Sequence, residues 1–188
     1  MVRKIFQLGI LRLVGATICA GLLAGASPGW ASDRGWDDAS SIGRDVLVAA
    51  AIGVPLVKGD GPGVLQAGGS VAASELAVLG LKEAFPELRP DRSNRKSFPS
   101  GHTAVSFASA ATLQNSYGWK VGLPAQLVAG FVGVARVKAD KHHWYDVAAG
   151  AVIGELSGFL ITSPRDEHIK VFPWGDSKGG GIALVASF

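Results

Sequence analysis

Three small groups of side chains between residues 82 and 146 are suited to holding and attacking an anion. The first is Lys82 with Arg89-Pro90, which puts two cations near the end of one apolar segment and the start of a loop. The second is Pro99-Ser100-Gly101-His102. Ser100 is an N-cap residue there, and the free amides behind it form an anion site that a glycine lets a phosphate approach closely. The third is Arg136, then His142 and Asp146, which are four apart. On a helix that spacing puts both on one face, so a carboxylate can hold one imidazole nitrogen and leave the other free to attack. Each group alone has a plainer reading: a lysine complementing a helix dipole, an ordinary capped helix start with a surface histidine, and a solvated ion pair worth a few tenths of a kcal/mol. His143 is read as a bystander that points elsewhere.

Taken in order and spacing, the three groups resemble the three-part signature of the type 2 phosphatidic acid phosphatase and vanadium haloperoxidase superfamily. Ten residue identities carry the resemblance: Lys82, Arg89, Pro90, Pro99, Ser100, Gly101, His102, Arg136, His142 and Asp146. One departure is Ala135, where the family usually has serine, which removes a hydroxyl but no charge. The resemblance implies an all-α helical bundle and metal-independent phosphoryl transfer through a phosphohistidine. It makes His142 the nucleophile, Asp146 its orienting partner, and His102 the group that protonates the leaving oxygen and then activates water. Lys82, Arg89 and Arg136 would bind the phosphoryl oxygens, with Ser100 and the Gly101 amide completing the cradle. A loose phosphoryl transition state mainly needs positioning and positive charge, and three cations with helix-end amides supply both. No cofactor is then required. Vanadate enters only as an inhibitor, or as the cofactor in the alternative reading, a vanadate-dependent haloperoxidase.

Five apolar helical segments must position these groups: residues 41–57, 64–85, 101–117, 121–138 and 144–162. Lys58 to Gly63 breaks the first from the second, and Pro86 to Pro99 forms a polar loop. Ile182 to Phe188, behind three glycines, reads as a short strand or a packed tail. The expected layout is a signal peptide over residues 1–31, or an uncleaved first transmembrane helix in its place. A single phosphatase domain over 32–188 follows, ending in a short tail, 164–188.

Composition narrows the class. The 188 residues suit one domain. A lone cysteine, Cys19, excludes a disulfide framework or a Cys-based zinc site, and Ile18 before it argues against a lipoprotein box. The net charge of +3 comes from Arg3, Lys4 and Arg12; beyond them basic and acidic residues balance, which argues against a nucleic-acid binder. That basic start, the apolar run Leu13 to Ala26 and Gly29-Trp30-Ala31 read as an export signal, placing the protein in or facing the periplasm. Glu75 and Glu155 inside apolar segments favour a soluble or peripheral form over an integral inner-membrane one, with membrane association allowed. The expected partner is a phosphorylated small molecule or lipid. Arg92, Arg95 and Lys96 are proposed to form an outer rim that steers anions.

Overall fold

The computed structural model describes residues 32–164, 169–176 and 179–186. The expected signal peptide, with Cys19, lies outside them. Five helices follow one another: α1 (Asp33–Val57), α2 (Gly61–Ala84), α3 (Gly101–Tyr117), α4 (Trp119–Lys138) and α5 (Trp144–Ile161). Their ends follow local chemistry. Ser32 Oγ accepts from the Gly35 amide at 3.1 Å, so α1 begins well before residue 41 and takes in the polar stretch Asp33 to Ser40. Asp60 caps α2 through the Gly63 amide at 2.9 Å, with Pro62 in the first turn, so the break after α1 shrinks to three residues. Gly118 at φ +78° ends α3 and starts α4, a conformation that favours glycine.

The axis of the bundle is α3. Its residues are small, from Ala104 and Ser106 to Ala111 and Thr112, and are buried on nearly every side, as a helix wrapped by its neighbours must be. Packed against it is α5, which presents glycine every fourth residue. A Cβ at Gly150 would lie 2.5 Å from the Ser100 carbonyl oxygen, one at Gly154 2.3 Å from that of Ala104, and one at Gly158 2.4 Å from Ala111 Cβ. Only glycine permits this approach, and it brings the N-termini of α3 and α5 together. Leu47, Leu113, Ala125, Val128 and Ala129 close the core between α1, α3 and α4.

The outer surface corrects the soluble or peripheral reading. α1, α2, α4 and α5, at 25, 24, 20 and 18 residues, are long and apolar enough to cross a membrane, and at most 44% of any one's apolar stretch is buried. Leu76 and Leu79 on α2, Leu123 and Leu127 on α4, and Leu156 and Leu160 on α5 all face outward. A helix in water buries such a face; these present it, which points to an integral membrane protein instead of the soluble or peripheral form. Of the acids that argued otherwise, Glu155 pairs with Gln126, and Glu75 lies near Gly101 at the start of α3, within the field of the Lys82 ammonium.

The tail adds what the helix count omitted. β1 (Ile169–Asp176) and β2 (Gly179–Ala186) form an antiparallel hairpin, with Ile169 opposite Ala186 and Asp176 opposite Gly179. The strand alternative for the tail is thus the observed one. Pro173 and the charges at both ends hid its partner strand.

Candidate active site

One end of the bundle gathers the N-termini of α1, α3 and α5 and the C-termini of α2 and α4, and all three sequence groups meet there. Ser100 Oγ accepts from the Thr103 amide at 3.5 Å and from Thr103 Oγ1 at 2.9 Å, while its own amide donates to the Asp146 carbonyl at 3.0 Å. The cap of α3 is therefore bolted to the first turn of α5.

His142 and Asp146 come together, but not on one helical face. His142 sits in the turn before α5, His143 is the N-cap, and Asp146 is the third helical residue, reaching back to accept the His143 amide at 2.8 Å. Asp146 Oδ2 also accepts from Ser97 Oγ at 2.6 Å and stands 3.6 Å from His142 Nδ1. His142 Nδ1 and Asp146 Oδ1 are both buried with no hydrogen-bond partner, while the 3.6 Å approach of Nδ1 is to Oδ2, the oxygen already bonded to Ser97 and the His143 amide. His143 does not point elsewhere. Its Nδ1 lies 3.3 Å from Asp146 Oδ2 and 3.6 Å from Glu87, and its ring stacks on Tyr145 at 5.0 Å.

The two histidines differ in surroundings. His142 is buried, and desolvation, followed by the charges of Arg136, Arg89 and Lys82, pushes its imidazole down to about 2. It is a neutral base ringed by cations, the setting for an anionic substrate. His143 is half-buried beside an acid.

The three cations are held differently. Arg136 is almost fully buried; its Nη1 donates to Asp37 and, at 3.1 Å, to Ser40 Oγ, and its Nε has no partner. Arg89 Nε is likewise buried and unpaired. Lys82 is already engaged: its ammonium donates to the carbonyls of Lys96 at 2.7 Å and Pro99 at 2.6 Å, lacing the loop ahead of α3 to the end of α2. The loop is ordered around Arg89, whose amide donates to the Asn94 carbonyl at 3.0 Å, and Asp91 ties it to Lys141 at 2.8 Å beside the His142 turn. Burial opposes ionisation of Asp91, but hydrogen bonds from Lys141 and Ser93 outweigh it and hold the carboxyl well below the usual range.

His102 opens α3 and faces α1. Its Nε2 lies 3.0 Å from Arg44 Nη1 and 3.2 Å from Ser41 Oγ. The sequence reading missed this α1 surface: Asp37, Ser40, Ser41 and Arg44 stand at three-, four- and seven-residue spacing and line the site. The signal was that spacing, hidden because the helix was started at residue 41. Ser97, the second partner of Asp146, was read only as loop.

Glu87, His143 and Asp146 offer ligand atoms within 4.8 Å of one another, the cluster among the described residues that could hold a cation. Their atoms are committed, however: Glu87 Oε1 accepts from Tyr145, and Asp146 Oδ2 from Ser97 and the His143 amide.

The same architecture occurs in known proteins. The structure resembles that of LpxE from Aquifex aeolicus, with TM-score 0.60 and 22% identity over 81% of this chain and 92% of that one. It also resembles the transmembrane PAP2 type phosphatidylglycerolphosphate phosphatase from Bacillus subtilis, with TM-score 0.56 and 21% identity over 86% and 94%. The lipid A 1-phosphatase of Porphyromonas gingivalis is 36% identical over 104 residues, 54% of this chain and 22% of that protein, so the chain spans under a quarter of that relative's length. Residues 63–169 match the sequence model of the PAP2 superfamily, and they carry all three groups of site residues. The chain therefore belongs to the PAP2 superfamily.

Proposed function

We propose that this protein is a lipid phosphatase that hydrolyses a phosphate monoester or diphosphate through a phosphohistidine on His142. The observation that carries the reading is His142 itself: buried, neutral, backed by Asp146, and surrounded by Arg136, Arg89 and Lys82. With Asp146 beside Nδ1, Nε2 carries the free lone pair and attacks phosphorus. The carboxylate then stabilises the imidazolium formed. The unpaired Nε groups of Arg89 and Arg136 take phosphoryl oxygens, and the Gly101 amide at the start of α3 adds a helix-end donor. The Lys82 ammonium adds positive charge while it holds the loop. His102 assists the leaving oxygen and then the water that releases phosphate.

A lipid substrate is supported by a site at the end of a membrane-spanning bundle and by the name of the lipid A 1-phosphatase relative. The test uses the full chain in detergent micelles with a radiolabelled lipid phosphate. Label is expected on His142 after acid-free quenching, with no turnover in His142→Ala, and label on another residue overturns the reading. Chelation should leave activity unchanged and vanadate should inhibit, as a mimic of the five-coordinate transition state. Loss of activity in EDTA, restored by a divalent ion, overturns the metal-free mechanism. Bromide oxidation by peroxide with added vanadate, without phosphate release, would instead assign the haloperoxidase chemistry.

A further inference from the structure

The signature accounts for three cations, but the site holds a fourth. Arg44 comes from α1, ahead of the stretch that matches the family, and it stands beside His102 rather than His142. Asp45 fixes its direction: Arg44 Nε and Nη2 both donate to Asp45 Oδ1, at 2.9 and 2.7 Å, which leaves Nη1 to reach His102 Nε2 at 3.0 Å. A guanidinium only donates, so the nitrogen it meets is an acceptor and carries no proton in this arrangement.

That is the reverse of what an alcohol leaving group needs. An alkoxide is a poor leaving group and must take a proton from His102, yet an imidazolium at this position would face a guanidinium across a hydrogen-bond distance. A phosphate leaving group has the opposite requirement. It departs readily without full protonation but carries negative charge that a cation must stabilise. Any oxygen that His102 Nε2 can reach lies within a small adjustment of Arg44 Nη1, so the leaving side of the site offers an oriented N–H of a guanidinium, whose other edge is paired with Asp45, at the place where a phosphate would depart.

We propose that Arg44 is a specificity-determining residue that binds the departing phosphate of a diphosphate and so makes lipid diphosphates the preferred substrates of this site. The proposal rests on the phosphatase reading above. In the step it implies, His142 Nε2 attacks the terminal phosphorus, and the bond from that phosphorus to the bridging oxygen breaks. The bonding pair leaves on the lipid monophosphate, whose oxygens take the Arg44 N–H that His102 held. Water then cleaves the phosphohistidine, so diphosphate and water give monophosphate and inorganic phosphate.

The test compares dodecyl diphosphate with dodecyl phosphate, which share one alkyl chain, using the full chain in detergent micelles. Arg44→Gln should lower kcat/KM for the diphosphate by about 10- to 100-fold, the value of one hydrogen bond to a charged group, while that for the monophosphate does not fall, because the substitution also removes the cation that opposes a protonated His102. Arg44→Lys, which keeps the charge, should keep the preference for the diphosphate, and it serves if the glutamine variant fails to fold. Parallel losses on both substrates would overturn the assignment, because a residue that only holds His102 affects them alike, and so would unchanged kinetics on both. Release of phosphate from neither substrate by the unsubstituted protein would overturn the phosphatase reading itself, a failure distinct from the other two.

Discussion

Gly154 of α5 lies so close to α3 that a Cβ there would stand 2.3 Å from the Ala104 carbonyl oxygen and 2.7 Å from the Ala108 amide nitrogen. Backbone atoms in the middle of a helix cannot step aside, so any side chain at residue 154 must push the helices apart. The cap of α3 and the first turn of α5 are joined by the bond from the Ser100 amide to the Asp146 carbonyl, and the same displacement pulls on the site.

Gly154→Ala is therefore expected to destabilise the protein by about 1–3 kcal/mol, the usual cost of overpacking, and to lower activity. Gly130→Ala is the comparison, because nothing lies within 4 Å of a Cβ there. It should be neutral or slightly stabilising, since alanine is the better helix former. Thermal unfolding of both variants in detergent checks this, and equal midpoints would mean that α3 and α5 are not held by the glycine stripe.

Asp146 has two duties in one carboxylate: Oδ2 caps α5 and accepts from Ser97, while His142 waits within 3.6 Å. Asp146→Asn keeps most of the shape but loses the anion that balances a cationic imidazole. Turnover should fall by about 10²- to 10⁴-fold with KM within a few-fold. Ser97→Ala removes one hydrogen bond to the same carboxylate and should cost less, about 10- to 100-fold. Steady-state kinetics on a lipid phosphate decide it; unchanged turnover in Asp146→Asn would leave the residue only as a helix cap.

How much of this was legible in the sequence follows from which interactions are local. Four of the five apolar segments match their helices to within three residues, because Gly118, Pro62 and the loop from Pro86 to Pro99 are strong punctuation, whereas α1 begins eight residues before its segment, at Asp33. Lys82 and Arg89 were readable as cations, Ser100 as a cap and His142 with Asp146 as a base and its partner from their own neighbourhoods, whereas His102 and Arg136 gained their roles only from the family resemblance. The α1 surface was not: Asp37 meets Arg136 and Arg44 meets His102 across 99 and 58 residues of chain, and nothing near Asp37 in sequence announces a partner. The relation of His142 to Asp146 was misread for a related reason. The spacing of four is the same on a helix face and across a helix start, and only the N-cap position of His143 separates them. The membrane preference was missed because Glu75 and Glu155 look costly in lipid until their surroundings are known.

The neutral state of His142 has a consequence for stability. Its imidazole is pushed down to about 2, by desolvation first and then by Arg136, Arg89 and Lys82. An unfolded histidine titrates near 6.5. Above that pH both states are neutral and the residue contributes nothing. Below it the unfolded chain binds a proton that the folded one refuses, so stability falls with pH, by up to about 1.4 kcal/mol per unit for this one group. Unliganded protein in detergent should therefore lose thermal stability steadily from about pH 6 to pH 4, and His142→Gln should lose it less steeply. Equal slopes in the two proteins would show that His142 is protonated in the folded state.

The loop after Arg89 presents Arg92, Arg95 and Lys96 on the surface, whereas Arg89 turns its Nε inward. The one acid among them, Asp91, is already paired with Lys141, and the contact of Lys96 with Glu83 at 3.9 Å joins two exposed side chains, the kind of pair that contributes little. Among the described residues no acid lies within salt-bridge distance of Arg92 or Arg95, and their loop runs directly into Ser97 and the cap of α3. Charges of this kind act on encounter rather than on chemistry, through a field that salt screens over about 8 Å at physiological ionic strength. Replacing all three with glutamine should raise the apparent KM at low salt, leave the saturated rate nearly intact and remove most of the salt dependence. Glutamine is the right substitute because residue 92 has φ 58°, where glycine would relax the turn and confound the comparison. The carbonyl of residue 96 still holds Lys82, since that bond is to the backbone. Kinetics matching the parent at low ionic strength would reduce the rim to solubilising surface, and collapse of the saturated rate would put at least one of the three inside the cradle.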